Sequence, residues 1–147
     1  MGRILSIDYG KKRTGIAVTD PLKIIAGGLA TVSTFELFDY LKAYIAREEV
    51  ELIVIGDPKQ ADGTPSENKA RIVEFVNRWK KIFPQIPLEY FDERFTSVLA
   101  HRAMIDGGMK KKDRRNKAVV DEISAVIILE DYMRSRQFGA SLNTSDK

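Results

Sequence analysis

The sequence predicts a mixed α/β domain built on a five-stranded sheet, three antiparallel strands followed by two parallel ones, with helices on both faces. Three observations predict it. Short strand-like runs separated by turn residues open the chain, as an antiparallel meander does. Leu52-Ile53-Val54-Ile55 is a continuous apolar run, as a central strand buried on both faces reads. Helical and strand-like segments then alternate to the end of the chain, the pattern of a layered α/β fold.

Residues 3–9 form the first strand, Gly10-Lys11-Lys12-Arg13 a turn, and Thr14–Thr19 the second strand. Ile24–Val32 supplies the third. Ser33 with Glu36 has the spacing of a capping box for a helix running to about Arg47. Leu37, Phe38, Leu41, Tyr44 and Ile45 line one face of that helix. After the central strand ends at Gly56, Asp57 to Gly63 is a loop. Thr64-Pro65-Ser66-Glu67 offers an N-cap, a proline at the first helical position and a glutamate at the third. Ile72, Phe75, Val76, Trp79 and Phe83 share a face of the helix that follows. Pro84 and Pro87 end it, and Leu88–Phe91 is the fifth strand.

Thr96 or Ser97 starts a further helix to about Ile105, broken by Gly107-Gly108. The last helix, about Lys117–Arg136, is apolar on nearly every side and is expected to be mostly buried. Residues 1–136 thus make one domain, and 137–147, small and polar, are expected to be a flexible tail. A length of 147 residues suits a single core that needs no staples.

Composition excludes several classes. With 44% hydrophobic and 31% charged residues the chain is a globule, not a disordered segment. No cysteine is present, so there is no disulfide framework and no thiolate metal site, which fits a reducing cytoplasm. No apolar stretch reaches the roughly 18 residues of a membrane span, and the opening residues are too short for a signal peptide. The net charge is +3, yet Lys110-Lys111-Lys112-Asp113-Arg114-Arg115-Asn116-Lys117 alone carries six bases and one acid. The basic character is therefore a patch, the footprint of phosphate backbones or else a solvated loop.

Three acidic residues stand in or beside apolar runs: Asp8 in Ile4-Leu5-Ser6-Ile7-Asp8, Glu93 in Phe91-Asp92-Glu93-Arg94, and Asp121 in Val119-Val120-Asp121-Glu122-Ile123. An unpaired carboxylate in such surroundings costs several kcal/mol, and a shared divalent cation would explain all three together. Strand alternation puts Ile4, Ser6 and Asp8 on one face, and Gly10 and Gly15 leave room beside Asp8. Ser124, Ala125 and Ile128 follow Asp121 at helical spacing, which turns that carboxylate inward. His101 is the only histidine, a helix residue by its context, so a metal here takes oxygen ligands, favouring Mg²⁺ or Mn²⁺.

Carboxylates with such ions suit phosphodiester hydrolysis, with Lys12, Arg13 or Arg94 neutralising charge on the phosphate. Each residue also has a local explanation. Asp8 suits a turn cap before Gly10, Glu93 a pair with Arg94 or a cap, and Asp121 the dipole of its helix.

Taken in order, these segments are more specific. Asp8-Tyr9-Gly10-Lys11-Lys12-Arg13-Thr14-Gly15-Ile16-Ala17 resembles the opening motif of the YqgF/RuvX family. Asp92-Glu93-Arg94-Phe95-Thr96-Ser97 is similar to its second motif, and Lys117 through Asp121-Glu122-Ile123-Ser124-Ala125 to Leu129 is similar to its third. The resemblance implies an RNase H-like fold and a nuclease, either a processor of pre-16S ribosomal RNA or a Holliday junction resolvase. It implies that Asp8, Glu93 and Asp121 are catalytic, metal-binding carboxylates. Where the family often reads Gly-Leu-Pro, this chain has Gly56-Asp57-Pro58, so Asp57 is either a fourth carboxylate of the site or a loop substitution.

The leading expectation is a metal-dependent endonuclease acting on structured nucleic acid, with Lys110, Lys111, Lys112, Arg114, Arg115 and Lys117 clamping phosphates. A branched substrate favours a homodimer. The competing expectation is a nucleic-acid-binding module without activity of its own. The opening motif is also similar to the phosphate loop of sugar kinases and actin-like ATPases, but those need two such domains and this chain has length for one.

Overall fold

The computed structural model describes residues 2–57, 68–92 and 117–145, with the side chains of the last segment described from Glu122 to Arg136. Three strands come first: β1 (Arg3–Asp8), β2 (Arg13–Thr19) and β3 (Ala26–Ser33). A 3-10 turn (Thr34–Glu36) leads into α1 (Leu37–Arg47), then β4 (Val50–Asp57), α2 (Lys69–Ile82), β5 (Leu88–Asp92) and α3 (Lys117–Ser145). The helix expected over 96–105, its start at Thr64-Pro65 in the preceding helix, and the basic loop 110–116 lie outside the described residues.

The sheet order is β3-β2-β1-β4-β5. β1 pairs antiparallel with β2, and β2 with β3, while β1 and β4, and β4 and β5, run parallel. This is the predicted architecture of three antiparallel and two parallel strands.

Alternation along the strands sorts two cores. Leu5 and Ile7 of β1 with Ile53 and Ile55 of β4 turn to the face covered by α1 and α2, where Leu41, Ile72 and Trp79 close the packing. Trp79 is fully buried and sits among aromatic rings, 4.5 Å from Phe83 and 5.8 Å from Phe38 between centroids. Ile4, Leu52, Val54 and Phe91 turn to the opposite face, covered by Ala125, Ile128 and Leu129 of α3. Small residues there let the helix approach closely. The Ser6 hydroxyl donates to the Ala125 carbonyl oxygen at 2.7 Å, and a side chain at Gly28 in β3 would overlap the Glu122 carboxyl.

Two elements differ from expectation. Ser33 makes no side-chain cap, and the 3-10 turn delays α1 until Leu37, with Glu36 as its N-cap. The Thr34 hydroxyl is engaged elsewhere, as described below. The last helix continues to Ser145 instead of ending at Arg136. Gln137–Ser145 contains no proline, so nothing steric stops the helical backbone there.

Candidate active site

Asp8 is the last residue of β1, half-buried, and pairs across the ladder with Gly15 of β2. It shares a face with Ile4 and Ser6, the face that α3 covers. Gly15 therefore places no side chain opposite it on β2. The sequence-based reading of Gly15 thus corresponds to a direct cross-strand partner.

The direction of α3 follows from its contacts. Near its C-terminal end, Arg136 acts electrostatically on Glu51 at the start of β4, and the Tyr132 hydroxyl donates to Glu89 at 2.9 Å. Ala125 meets Ser6 in the middle of β1. The helix therefore runs antiparallel to β1, and its N-terminal turns approach the end of the strand that carries Asp8. The backbone of Asp121 lies in those turns, one turn before Ala125. Glu93 follows β5 directly and lies outside the described residues, as do Arg94, His101 and Lys110 to Arg115; the backbone of Lys117 begins α3.

Among the described residues, no three acidic or histidine side chains converge on one point as a metal cluster. Asp8 offers carboxylate oxygens at this end of the sheet, and the chain has no cysteine. That donor chemistry fits a hard divalent ion such as Mg²⁺ or Mn²⁺.

Asp57 stands elsewhere. It ends β4, in register with Asp92 of β5, and alternation from Ile53 and Ile55 turns it to the α2 face, away from Asp8. It is 6% exposed, and the Lys69 ammonium lies 2.9 Å from its Oδ1. Lys69 also caps the Tyr90 ring, 4.1 Å from its centroid. Burial and the neighbouring Asp57 charge raise the Tyr90 hydroxyl above its ordinary pKa.

The turn after Asp8 is tied from two sides by residues that sequence reasoning did not single out. Thr34 donates its hydroxyl to the Gly10 carbonyl at 2.7 Å and its backbone N–H to the Lys12 carbonyl at 2.9 Å. Thr14 adds a hydroxyl contact to Thr34 at 2.8 Å. Asn68, the residue before α2, donates to the Tyr9 carbonyl at 2.8 Å. Gly10 is required in this turn, because a Cβ there would collide with the Arg13 carbonyl. The result is a fixed turn that presents exposed Lys11, Lys12 and Arg13 beside Asp8. Burial first, and the Glu74 carboxylate second, raise the Tyr9 hydroxyl, with Arg71 opposing.

The outer side of α2 was also missed. Arg71, Arg78, Lys80 and Lys81 are exposed there, against the single acid Glu74. No contiguous charge run marks them in the sequence, because the buried positions Ile72, Phe75, Val76 and Trp79 are interleaved with them.

The strand order and the helices on both faces define a fold of the RNase H-like class, and comparison with known proteins agrees. Solved structures of Thermus thermophilus RuvC share the fold. The one in complex with a Holliday junction substrate has a TM-score of 0.54 at 14% identity, covering 92% of this chain and 96% of that one. A second RuvC structure gives 0.56 at 13% identity, over 90% of this chain and 96% of that one.

Sequence narrows the class further. The family model described as RuvX, Holliday junction resolvase, matches residues 2–135, and the chain belongs to that family. A relative from Phocaeicola vulgatus is 61% identical over 94% of this chain and 99% of its own length. One from Bacteroides thetaiotaomicron is 59% identical over 94% and 100%. Both carry the provisional name of pre-16S rRNA nuclease.

Proposed function

We propose that this chain is a divalent-metal-dependent endonuclease that trims the 5′ end of the 16S ribosomal RNA precursor. The observation that carries the proposal is the placement of Asp8. It ends a central strand on the face of α3, where the N-terminal turns of that helix, with Asp121, approach it. Relatives about 60% identical along nearly their whole length bear the matching name.

Asp8, Asp121 and Glu93 are the residues assigned to hold Mg²⁺ or Mn²⁺. The bound ion would lower the pKa of a water to make the nucleophile and stabilise the leaving oxygen. Lys12, Arg13 and Arg94 neutralise the phosphate under attack. Lys110, Lys111, Lys112, Arg114, Arg115 and Lys117 clamp the flanking backbone. Asp57, held by Lys69 on the opposite face, is assigned to the scaffold.

The enzyme is placed in the cytoplasm, where ribosomal precursors are made. Among the described residues no helix is long and apolar enough to cross a membrane.

A second reading has support of its own, because the matching family is described as a Holliday junction resolvase. It calls for a homodimer that offers two sites to a four-way junction. One assay separates the readings: labelled precursor RNA, four-way DNA junction and linear duplex, each with Mg²⁺, Mn²⁺ or EDTA. Metal-dependent cutting of the RNA, lost in Asp8→Asn, supports the proposal. Preferential junction cutting supports the resolvase. Binding without cutting by folded protein returns the chain to a binding module.

A further inference from the structure

Phe35 is 95% exposed, the most exposed of the large hydrophobic side chains described. Single apolar residues on a surface usually need no explanation. Two features set this one apart. It lies in the 3-10 turn, next to Thr34, whose hydroxyl and amide grip the Gly10 and Lys12 carbonyls. That same grip ties the backbone that carries the exposed Lys11 and Lys12, immediately after the strand that ends in Asp8. Leu22, Ile24 and Ile25, the next most exposed of these side chains, stand at the opposite end of the sheet, in the β2–β3 connection. An aromatic ring open to solvent, on a turn hydrogen-bonded to backbone that carries exposed lysines, is the combination that takes an unpaired base with its phosphates. A duplex offers no such base without melting.

We propose that Phe35 is a nucleobase-stacking residue that holds one unpaired base of a single-stranded stretch of substrate, while Lys11 and Lys12 on the tied turn take the adjoining phosphates. The inference rests on the nuclease reading only for the place of the scissile bond, since the stacking itself requires no metal. The substrate class it defines is nucleic acid with a single-stranded segment next to the cleavage position.

The test is binding in EDTA, where cutting is absent, of a labelled single-stranded RNA 12-mer and of the same sequence as a duplex. Phe35→Ala is expected to weaken single-strand binding about tenfold, within the range of one base–aromatic stack, and duplex binding less than twofold. Phe35→Trp is expected to keep single-strand affinity and to show emission quenched by the single strand. The native Trp79 is fully buried and contributes a constant background. Because the Phe35 ring touches little of the fold, both variants should melt with wild type. Unchanged RNA affinity in Phe35→Ala, or unquenched emission in a Phe35→Trp protein that binds, overturns the proposal. So does a Phe35→Ala effect confined to the oligomeric state in sedimentation, which would make the ring a protein contact. Phe35-dependent binding by a protein that cuts nothing with Mg²⁺ or Mn²⁺ would uphold the stack and fail the nuclease reading alone.

Discussion

The two faces of the sheet are built differently. The α1/α2 face is packed with large side chains, Leu41, Ile72, Phe75 and Trp79 among them, around an aromatic cluster. Among the described residues the α3 face buries a smaller cluster and carries small and polar groups, with Ser6 and Ala125 in contact and Asp8 at its edge. Neighbouring strands end in carboxylates that turn opposite ways: Asp8 of β1 toward the α3 face, Asp57 of β4 toward α2 and Lys69. The difference teaches that one face supplies stability and the other closeness, and that acids at adjacent strand ends take different roles according to the face they meet.

Breaking the α3 face at its edge should give the largest effect. Asp8→Asn is expected to lower cleavage by about 10⁴ or more while leaving thermal stability near wild type, read from single-turnover rates beside melting curves. A substantial melting shift would instead give Asp8 a structural duty.

The α1/α2 face should respond in the opposite way. Trp79→Ala removes the largest fully buried side chain and is expected to destabilise by about 3–5 kcal/mol, measured by urea unfolding. Any protein that remains folded should still cut. Next in size, Lys69→Met leaves the Asp57 carboxylate buried without its cation, a loss of about 1–3 kcal/mol. Adding Asp57→Asn should recover part of it, as coupled partners do in a double-mutant cycle.

Ser6→Ala sharpens the comparison further. It deletes the hydrogen bond that ties β1 to α3 and is expected to cost about 1 kcal/mol.

The smallest effect is confined to alkaline pH. Burial first, and the hydrogen bond to Glu89 second, push the Tyr132 hydroxyl up to about 12 from 10.0. The folded state thus keeps a proton that the unfolded chain releases near pH 10. This stability is complete below pH 10 and is lost as pH rises toward 12. Tyr132→Phe should flatten that loss in melting curves taken across the interval.

Much of the architecture was legible because burial writes itself into apolar spacing. Leu52 to Ile55 read as a strand buried on both faces and proved to be one, and Ile72, Phe75, Val76 and Trp79 marked the inner side of α2. Alternation in β1 likewise set Asp8 with Ser6 and Ile4 before any coordinates. What escaped depends on partners distant along the chain. Thr34 meets Gly10 across 24 positions, Asn68 meets Tyr9 across 59, and neither residue has a local pattern that announces the contact. Ser33 and Glu36 had capping-box spacing, but the neighbouring Thr34 hydroxyl is drawn to Gly10 and the chain takes a 3-10 turn first. Asp57 was ambiguous for the same reason: only the ladder register and Lys69 reveal its face.

The most direct test of this division between the faces is Mn²⁺ binding followed by electron paramagnetic resonance in wild type, Asp8→Asn and Asp57→Asn. The account predicts that Asp8→Asn weakens binding at least tenfold and that Asp57→Asn binds as wild type does. Loss of Mn²⁺ in Asp57→Asn, with Asp8→Asn unaffected, would contradict it.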